Sequence, residues 1–222
     1  MYTFSQAILP SERNEAFKLR YEVYCSEKRW LDQSEYPDEI ENDREDERSV
    51  IFLAVNNATR QHIGTVRLIV NNHNDWPLPI ARHPSIKGNI STDNCVEISR
   101  LSILKNARRG DIFVGLIRLL FLYVLRNCSN SDFVFFSVEQ RFLSIVNQLG
   151  FEFTPLAASA LWYGDSLVPS RQKIQSLDGS VKRKNPYFYD WLWQNPETMN
   201  RDKCLVSFFK AGQPGSPVLS PF

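Results

Sequence analysis

The residues best suited to chemistry are charged side chains that fall into two opposed groups. The window Asp32–Glu47 contains nine acidic residues and a single arginine, whereas the rest of the chain is basic. Three arginines outside this window and three acids are candidate partners: Arg20, Arg67 and Arg100, with Asp43, Asp46 and Glu97. Arginine can hold a carboxylate through two parallel hydrogen bonds, and carboxylates bind ammonium groups. Because buried ions have to be paired, the set predicts either a polar binding pocket or an ion-pair lattice that only orders the acidic window.

Predicted elements on either side of the acidic window carry the first two arginines. A helix begins at Ser11, where Ser-Glu-Arg-Asn-Glu has the pattern of an N-cap followed by early acids, and runs to about Lys28. The apolar segments Ser49–Val55 and Ile63–Val70 predict two strands joined by a hairpin connection. The acidic window itself contains a proline and has no apolar periodicity, so we predict a long loop.

The predicted strand Val96–Leu104, which carries Glu97 and Arg100, has a broken alternation of apolar residues. Its large apolar residues are Val96, Ile98, Leu101 and Ile103. Strict alternation puts the first two on one face of the sheet and the last two on the other. One extra residue near Ser99 puts all four on the same face, so we predict a β-bulge around Ile98–Arg100. A strand that is buried on both faces is the alternative.

The second half of the chain predicts further helices and strands. The predicted elements are an apolar helix ending near Asn127, a strand Phe133–Val138, a helix Gln140–Leu149 closed by Gly150, a strand beginning within Phe151–Pro155, a candidate strand Ala160–Tyr163 and an aromatic helix Pro186–Trp193. Between Gly164 and the last helix, Pro, Ser, Lys and Arg dominate and predict no regular element. The final twelve residues, AGQPGSPVLSPF, predict a mobile tail. The mixture of helices and strands predicts one α+β domain.

Length, composition and charge are those of one globular domain. The 222 residues are 43% apolar and 23% charged, which argues against disorder. The 26 lysines and arginines against 25 acids leave a net charge of +1. Because binding to phosphates requires a clear basic excess, we expect no nucleic-acid partner.

Cysteine, histidine and apolar patterns predict a cytoplasmic protein without a metal site. Cys25, Cys95, Cys128 and Cys204 form no C-x-x-C pair, and the three histidines lack the spacing of metal ligands. The first residues lack the basic start and apolar run of a signal peptide. The most apolar segment, Ile112–Leu125, is interrupted by an arginine and is too short to span a bilayer, so we expect no transmembrane segment.

Five motifs occur in order along the first half of the chain. They are Arg20-Tyr21-Glu22-Val23-Tyr24-Cys25, Trp30, Glu41-x-Asp43-x-x-Asp46, Gly64-Thr65-Val66-Arg67-Leu68 and Glu97-Ile98-Ser99-Arg100-Leu101. As an ordered set, over roughly Ala16–Leu104, they resemble the autoinducer-synthase-like branch of the GNAT acyltransferases. That branch includes acyl-homoserine-lactone synthases, long-chain N-acyl amino acid synthases and PEP-CTERM/exosortase-associated acyltransferases. The residues of these motifs are most similar to those of the last group.

The resemblance implies a fold and a reaction. The implied fold is a GNAT-like α/β/α sandwich with a central mixed, largely antiparallel sheet over residues 1–164, with residues 165–222 as a C-terminal extension packed on the same domain. The implied reaction transfers an acyl group from a phosphopantetheine thioester, normally on acyl carrier protein, to an amine. The amine belongs to S-adenosylmethionine in the lactone synthases and to a free amino acid in the N-acyl amino acid synthases. No permanently bound cofactor is implied.

The resemblance also implies site residues. The shared positions are Arg20, Tyr24, Trp30, Asp43, Asp46, Arg67, Glu97 and Arg100. Aminolysis needs a neutral amine, so a base has to take a proton from the acceptor, and Glu97, just before the predicted bulge, is the candidate. Backbone N–H groups freed by the bulge could stabilise the oxyanion of the thioester. Ser99 is a candidate substrate contact. A covalent acyl-enzyme on Ser99 or Cys25 is the alternative, although no histidine lies at a recognisable spacing.

Two further features concern the substrates and the carrier. Tyr24 and Trp30 could wall the pocket, or they could simply pack in the core. The pyrophosphate-binding loop of GNAT enzymes is degraded around Gly110, which favours acyl carrier protein over acyl-CoA as the donor. A basic cluster, formed by Lys105, Arg108 and Arg109, predicts a docking surface for an acidic carrier protein, with an ordinary solvated surface as the alternative.

The leading hypothesis is therefore fatty acyl transfer from acyl carrier protein to an amino acid. A homoserine-lactone synthase, an acetyl-CoA-dependent acetyltransferase and a non-catalytic domain that binds a lipid or a partner are the alternatives. The degraded loop argues against the acetyltransferase, and the retained charged set argues against the non-catalytic domain.

Overall fold

A computed structural model describes residues 1–71, 76–108 and 110–194, which form eight strands and five α-helices. The strands are β1 Tyr2–Gln6, β2 Ser49–Asn56, β3 Gln61–Asn71, β4 Cys95–Ile103, β5 Phe133–Val138, β6 Thr154–Pro155, β7 Ala160–Trp162 and β8 Asp165–Lys173. The helices are α1 Pro10–Tyr21, α2 Gly110–Asn127, α3 Gln140–Gln148, α4 Ile174–Lys184 and α5 Pro186–Trp193. Arg109 and the predicted tail lie outside the described residues.

The strands form one mixed sheet in the order β1-β2-β3-β4-β5-β8-β6, with β7 paired to β8. All pairs are antiparallel except β4–β5, which is parallel. The sequence-based prediction of a central mixed, largely antiparallel sheet is therefore confirmed. The β4–β5 ladder ends at the pair Ile98–Phe136, although β4 continues to Ile103 and β5 to Val138. The two strands thus leave an opening in the middle of the sheet.

Helices cover both faces of this sheet, because its strands have apolar side chains on each side. The larger core lies under α2, α3, α4 and α5, and includes Phe52, Leu68, Val96 and Phe136. The opposite face packs against α1 through smaller clusters that contain Ile51. A sheet between two helical layers is the predicted α/β/α sandwich. Within the described ranges, no helix is long and apolar enough to cross a membrane.

The predicted bulge in β4 is confirmed by the strand register. Thr65 of β3 faces Ser102 and Arg67 faces Ser99, so two residues of β4 oppose one residue of β3 between these pairs. Arg100 has a left-handed backbone conformation, with φ of 52°. As predicted, the four apolar residues of the strand all pack in the larger core. The bulge also turns Arg100 toward the face that packs against α1, where it meets the acidic window.

Two elements of the secondary structure differ from the predictions. The segment after Gly164, predicted to be irregular, contains β8 and α4. The strand β8 contains a proline and several polar residues, but its backbone pairs with β5 and with the short strands β6 and β7. The helix α4 has only three buried apolar residues, Ile174, Leu177 and Val181, and contains a glycine, so its helical pattern is weak.

The first helix ends differently from the prediction. Its α-helical part stops at Tyr21, and a π-helical turn, Glu22–Glu27, continues it to the predicted end. The division of the chain at residue 164 stays a prediction, although the described residues beyond it contribute a strand to the same sheet. The predicted aromatic helix matches α5.

Gly115 of α2 gives a direct test of the packing between α2 and β1. A Cβ atom at this position would collide with the ring of Phe4, whereas a Cβ atom at the exposed helical Gly179 would meet nothing within 4 Å. We expect Gly115→Ala to lower the free energy of unfolding by about 1–3 kcal/mol through overpacking. Gly179→Ala should raise it by about 0.5–1 kcal/mol through helix propensity. Urea denaturation measures both, and equal effects at the two positions would contradict the packing.

Candidate active site

Arg20 on α1 is the innermost member of a buried ion-pair network. Its side chain is 1% exposed. The Nε atom donates a hydrogen bond to Glu41, and Nη1 and Nη2 donate to the two carboxylate oxygens of Asp46 at 2.8 and 3.1 Å. Every guanidinium nitrogen of Arg20 is therefore bonded to an acid of the acidic window.

Arg67 on β3 binds a second acid of the same window. Its Nη1 and Nη2 donate to the carboxylate of Asp43 at 2.5 and 3.2 Å, and Nη1 also lies 3.0 Å from Asp46 Oδ1. The remaining Nε donates to the hydroxyl of Ser99 at 3.0 Å. Arg67 thus links the acidic window to the first residue of the bulge.

Arg100, at the bulge itself, completes the network. Its Nε donates to Glu41 Oε1 at 3.1 Å and its Nη2 donates to Asp43 Oδ2 at 3.0 Å. The ring of Tyr163 lies 4.9 Å from the guanidinium carbon. Because Glu41 accepts from both Arg20 and Arg100, a single carboxylate connects α1 to the bulge of β4.

The network is electrically balanced, with three guanidinium groups against three carboxylates: Arg20, Arg67 and Arg100, with Glu41, Asp43 and Asp46. Burial on its own would raise the pKa of Asp46, but the charge of Arg20 and its hydrogen bonds lower that pKa to about 2. The pKa of Glu41 is also lowered, because Arg100 and Arg20 outweigh the effect of its burial. These acids therefore stay ionised and are unsuited to accepting a proton at neutral pH.

Short-range hydrogen bonds fix the end of the acidic window. The carboxylate of Asp43 accepts from the backbone N–H of Glu45, and Asp46 accepts from the N–H of Asp43, both at 2.9 Å. These reciprocal caps form a 3-10 turn, Arg44–Arg48. The window is thus less irregular than predicted, and its caps point two carboxylates toward the arginines.

Glu97 on β4 has a different environment from the acids of the network. Its side chain is 3% exposed, and its Oε2 accepts a hydrogen bond from the backbone N–H of Ile80 at 2.9 Å. Burial raises its pKa to about 7, despite that hydrogen bond and the charge of Arg67. The predicted pairing of Glu97 with the arginines is wrong, because Glu41 takes the third acidic position of the network.

A cavity of about 190 Å³ occupies the opening between β4 and β5. Seven of the predicted site residues line it: Tyr24, Trp30, Arg67, Glu97, Ser99, Arg100 and Arg108. Arg20, Asp43 and Asp46 lie behind this wall, in the network that supports it. The arrangement therefore separates groups that face the cavity from groups that hold them.

Aromatic side chains form much of the cavity wall. The rings of Tyr24 and Trp30 are 5.6 Å apart, and the Tyr24 hydroxyl donates to the carbonyl oxygen of Leu101 at 3.0 Å. The turn between β7 and β8 closes over Trp30 so tightly that a Cβ atom on Gly164 would lie 2.7 Å from the Trp30 side chain. The opposite end of the cavity is apolar and contains Phe113, Phe136 and Phe142.

The predicted docking cluster is only partly available at the surface. Lys105 is exposed, as the prediction requires. For Arg108 the prediction is wrong. Its guanidinium forms a hydrogen-bonded ion pair with Glu27, and its side chain is only 3% exposed. Its Nε also donates to the carbonyl oxygen of Ile103 at 2.9 Å. Arg108 therefore supports the cavity wall rather than a basic surface.

Sequence reasoning missed several residues that contribute to this site. Glu41 was visible in the motif Glu41-x-Asp43-x-x-Asp46 but was not assigned a role. Glu139 and Asp165 both line the cavity, and a hydrogen bond from protonated Glu139 to Asp165, together with burial, raises the pKa of Glu139. These two residues come from separate elements, and no sequence spacing connects them. Among the described residues, no group of histidine, cysteine and acidic side chains is arranged to hold a metal ion.

Part of the chain matches a known domain family. Residues 19–118 match the model of a family described as an acetyltransferase (GNAT) domain. No curated protein matches the sequence. The match to the family model includes Arg20 at the end of α1, the acidic window and the bulged strand that build the site.

Solved structures with a similar fold include acyl-homoserine lactone synthases and an N-acyl amino acid synthase. The CoA-dependent acyl-homoserine lactone synthase BjaI, solved with SAM and isopentyl-CoA, is 21% identical with a TM-score of 0.62, over 86% of this chain and 89% of that chain. The AHL synthase LasI is 17% identical with a TM-score of 0.61, over 82% and 95%. FeeM, an N-acyl amino acid synthase from uncultured soil microbes, is 14% identical with a TM-score of 0.59, over 83% and 97%.

The sequence match and the fold lead to the same class of protein. At these identities the structural likeness concerns the fold, and it agrees with the resemblance found in the sequence motifs. Residues 19–118 match an acetyltransferase (GNAT) domain, and the fold of the chain is similar to that of autoinducer synthases and an N-acyl amino acid synthase.

The bridging role of Glu41 can be tested by removing its charge. Glu41→Gln leaves two buried arginines with one carboxylate fewer, so we expect the free energy of unfolding to fall by about 3–5 kcal/mol. Glu39→Gln, at an exposed position of the same acidic window, should change it by less than about 0.5 kcal/mol. Chemical denaturation at pH 7 measures both, and a similar small loss for the two variants would contradict the role of Glu41.

Proposed function

We propose that the chain transfers a fatty acyl group from an acyl-phosphopantetheine thioester to the amino group of an amino acid, by direct aminolysis. The observation that carries the proposal is the environment of Glu97. It is a buried carboxylate, its pKa is raised to about 7, and it faces a cavity that opens between β4 and β5. A general base works best when its pKa is close to the working pH.

In the proposed reaction, Glu97 takes a proton from the ammonium group of the acceptor. The neutral nitrogen then attacks the thioester carbonyl carbon, and the carbonyl oxygen gains negative charge. Arg100 and Leu101 lie outside the regular ladder and line the cavity, so their backbone N–H groups are the proposed donors to this oxyanion. When the C–S bond breaks, the amide is complete and the thiol leaves with a proton.

The alternative of a covalent acyl-enzyme has little support in the geometry. The hydroxyl of Ser99 accepts from Arg67 rather than pairing with a histidine. His83 Nε2 lies 3.2 Å from the carbonyl oxygen of Leu167, and no histidine of the described chain lines the cavity. Burial raises the pKa of Cys25, which makes it a poor nucleophile.

The acceptor is proposed to bind between the aromatic wall and Arg100. Arg20 and Arg67 already use all their guanidinium nitrogens, whereas Nη1 of Arg100 has no protein partner among the described residues. This nitrogen can bind the carboxylate of an amino acid. Tyr24, Trp30 and Ser99 then surround the acceptor, while Arg20, Arg67, Asp43 and Asp46 hold the wall in position.

The acyl carrier protein remains the proposed donor and partner, and acyl-CoA is the second candidate because BjaI is CoA-dependent. The acceptor alternative is SAM, as in a homoserine-lactone synthase. Similar TM-scores for BjaI and FeeM do not favour one acceptor over the other. The association with PEP-CTERM/exosortase systems and the cytoplasmic location stay predictions.

The donor and acceptor can be identified in one set of assays. Purified protein is incubated with long-chain acyl carrier protein or the matching acyl-CoA, with either amino acids or SAM. We expect free thiol and an N-acyl amino acid by mass spectrometry, with the carrier protein as the better donor. A lactone product would favour the synthase alternative, and the absence of thiol release with every pair would refute acyl transfer.

The docking role of Lys105 is tested within the same assay. Lys105→Glu should lower kcat/KM several-fold for the acidic carrier protein and leave kcat/KM for acyl-CoA unchanged, because charges at the edge of an interface mainly affect association. Lys87→Glu, at another exposed lysine, makes the same change in net charge and should have no such effect. Equal losses for both donors would remove Lys105 from the carrier interface.

The proposed base makes a prediction about pH. Because Glu97 acts only when ionised, kcat should rise as the pH increases toward about 7 and then level off. Glu97→Gln should lower kcat by about 10²–10⁴-fold and abolish this pH dependence. A variant with normal turnover would exclude Glu97 as the base. Glu22→Gln, at an exposed glutamate, is the control.

Glu97→Gln should raise the stability of the folded chain although it lowers kcat. The folded chain keeps a proton on Glu97 up to a pKa of about 7, whereas the unfolded chain loses it near the ordinary value of 4.5. The stability of the wild type therefore falls as the pH rises from 4.5 to 7. Above pH 7, Glu97→Gln should be more stable than the wild type, by up to about 3 kcal/mol. This gain separates a catalytic loss from a folding defect.

A further inference from the structure

We infer that Ser137 is a further catalytic residue, whose hydroxyl donates a hydrogen bond to the carbonyl oxygen of the acyl thioester. The inference rests on the proposed acyl transfer and adds a side-chain donor to the backbone donors of the bulge. Ser137 is on β5, across the opening of the sheet from the bulged strand.

The strand register puts Ser137 opposite the predicted site. Glu97 pairs with Phe135, and the parallel ladder ends one residue later at Ile98 and Phe136. Continuing the register by one residue would bring Ser99 opposite Ser137. Because side chains alternate along a strand, Ser137 shares the face of Phe135, and therefore the face of Glu97. The two serines thus lie on either side of the opening, on the same face as the proposed base.

The hydroxyl of Ser137 is buried and has no hydrogen-bond partner. Three buried side-chain oxygens of the described residues share this property: Ser102 Oγ, Ser137 Oγ and Asp178 Oδ1. Of these residues, Ser137 lines the cavity and the other two do not. A buried hydroxyl without a partner costs stability, so such a group in a candidate active site is best explained by a ligand. Ser99 differs, because its hydroxyl is already bonded to Arg67.

The chemistry of the opening defines what Ser137 would bind. An N–C bond forms as the amine adds to the thioester carbonyl, the π electrons move to the carbonyl oxygen, and the ammonium proton goes to Glu97. When the C–S bond breaks, the electrons on the oxygen restore the carbonyl group, and the sulfur leaves as a thiol with the proton that the attacking nitrogen loses. Ser137 keeps its own proton throughout, since it donates a hydrogen bond that strengthens as the oxygen becomes negative.

Kinetics and stability of Ser137→Ala test the inference together. We expect kcat to fall by about 10²–10³-fold, as for loss of an oxyanion donor, with KM changed by less than about two-fold. The melting temperature should be unchanged or higher, because an unpaired buried hydroxyl is removed. Ser137→Thr, which keeps the hydroxyl, should recover part of the activity. Unchanged kcat, or a higher KM with normal kcat, would overturn the inference.

Ser170→Ala is the matched control. Ser170 is a buried serine on β8, paired in register with Phe136, and its hydroxyl donates to the carbonyl oxygen of Val168. It does not line the cavity, so the substitution should leave kcat unchanged. A loss of kcat equal to that of Ser137→Ala would show that removing any serine from this part of the sheet disturbs the site.

Vibrational spectroscopy tests the hydrogen bond without turnover. Octanoyl-CoA carrying ¹³C at its carbonyl is bound to wild type and to Ser137→Ala in the absence of an amine. The carbonyl stretch should lie at a lower frequency in the wild type, and equal frequencies would overturn the inference. If the wild type shows this shift but acylates no amine, then the proposed function fails while the assignment of Ser137 as a thioester contact stands.

Discussion

The hydrogen bonds of Glu41 to two buried arginines are the interaction on which the site depends. Arg20 belongs to α1 and Arg100 to the bulge of β4, and Glu41 accepts from both while its own side chain is fully buried. Burying these charges is costly, and complete pairing is what makes it possible. The left-handed backbone of Arg100 is an additional strain, which the network and the ring of Tyr163 hold in position. Without this carboxylate, the bulge that borders the cavity would lose its connection to the helix.

Near the gap between β4 and β5, two carboxylates lie in opposite electrostatic environments. Asp46 has two arginine neighbours, and its pKa is lowered to about 2. Glu97 is buried beside the opening with one backbone donor, and its pKa is raised to about 7. Environments that drive carboxyl pKa values apart allow one acid to be structural and another to exchange protons. The ion-pair network therefore serves the proposed chemistry indirectly: it pairs the nearby arginines with other acids and leaves Glu97 without an ion-pair partner that would keep it ionised.

Sequence patterns predicted the elements whose apolar periodicity is strong. They also predicted the bulge in β4, because one extra residue was the simplest way to put its four apolar side chains on one face of the sheet. The ordered motifs also contain nine of the residues that line the cavity. Glu97 was wrongly assigned to the ion-pair network, since spacing along the chain does not reveal which of several acids reaches a given arginine. The strand β8 was missed because its backbone is stabilised by pairing with β5, which its polar sequence does not indicate. Ser137 depends on the register between two strands, so no local pattern could have identified it.

The acidic window and the arginines outside it are largely paired with one another in the folded chain. The basic excess outside the acidic window suggested cations free to attract an acidic carrier protein. However, Glu41, Asp43 and Asp46 neutralise three arginines, and Glu45 pairs with three more: Arg44, Arg48 and Arg82. Arg108 is paired with Glu27. These seven arginines and five acids therefore pair with one another and fix the acidic window and the cavity wall. Attraction to a carrier protein has to come from exposed lysines near the opening, such as Lys105, whose number is too small to be visible in the net charge.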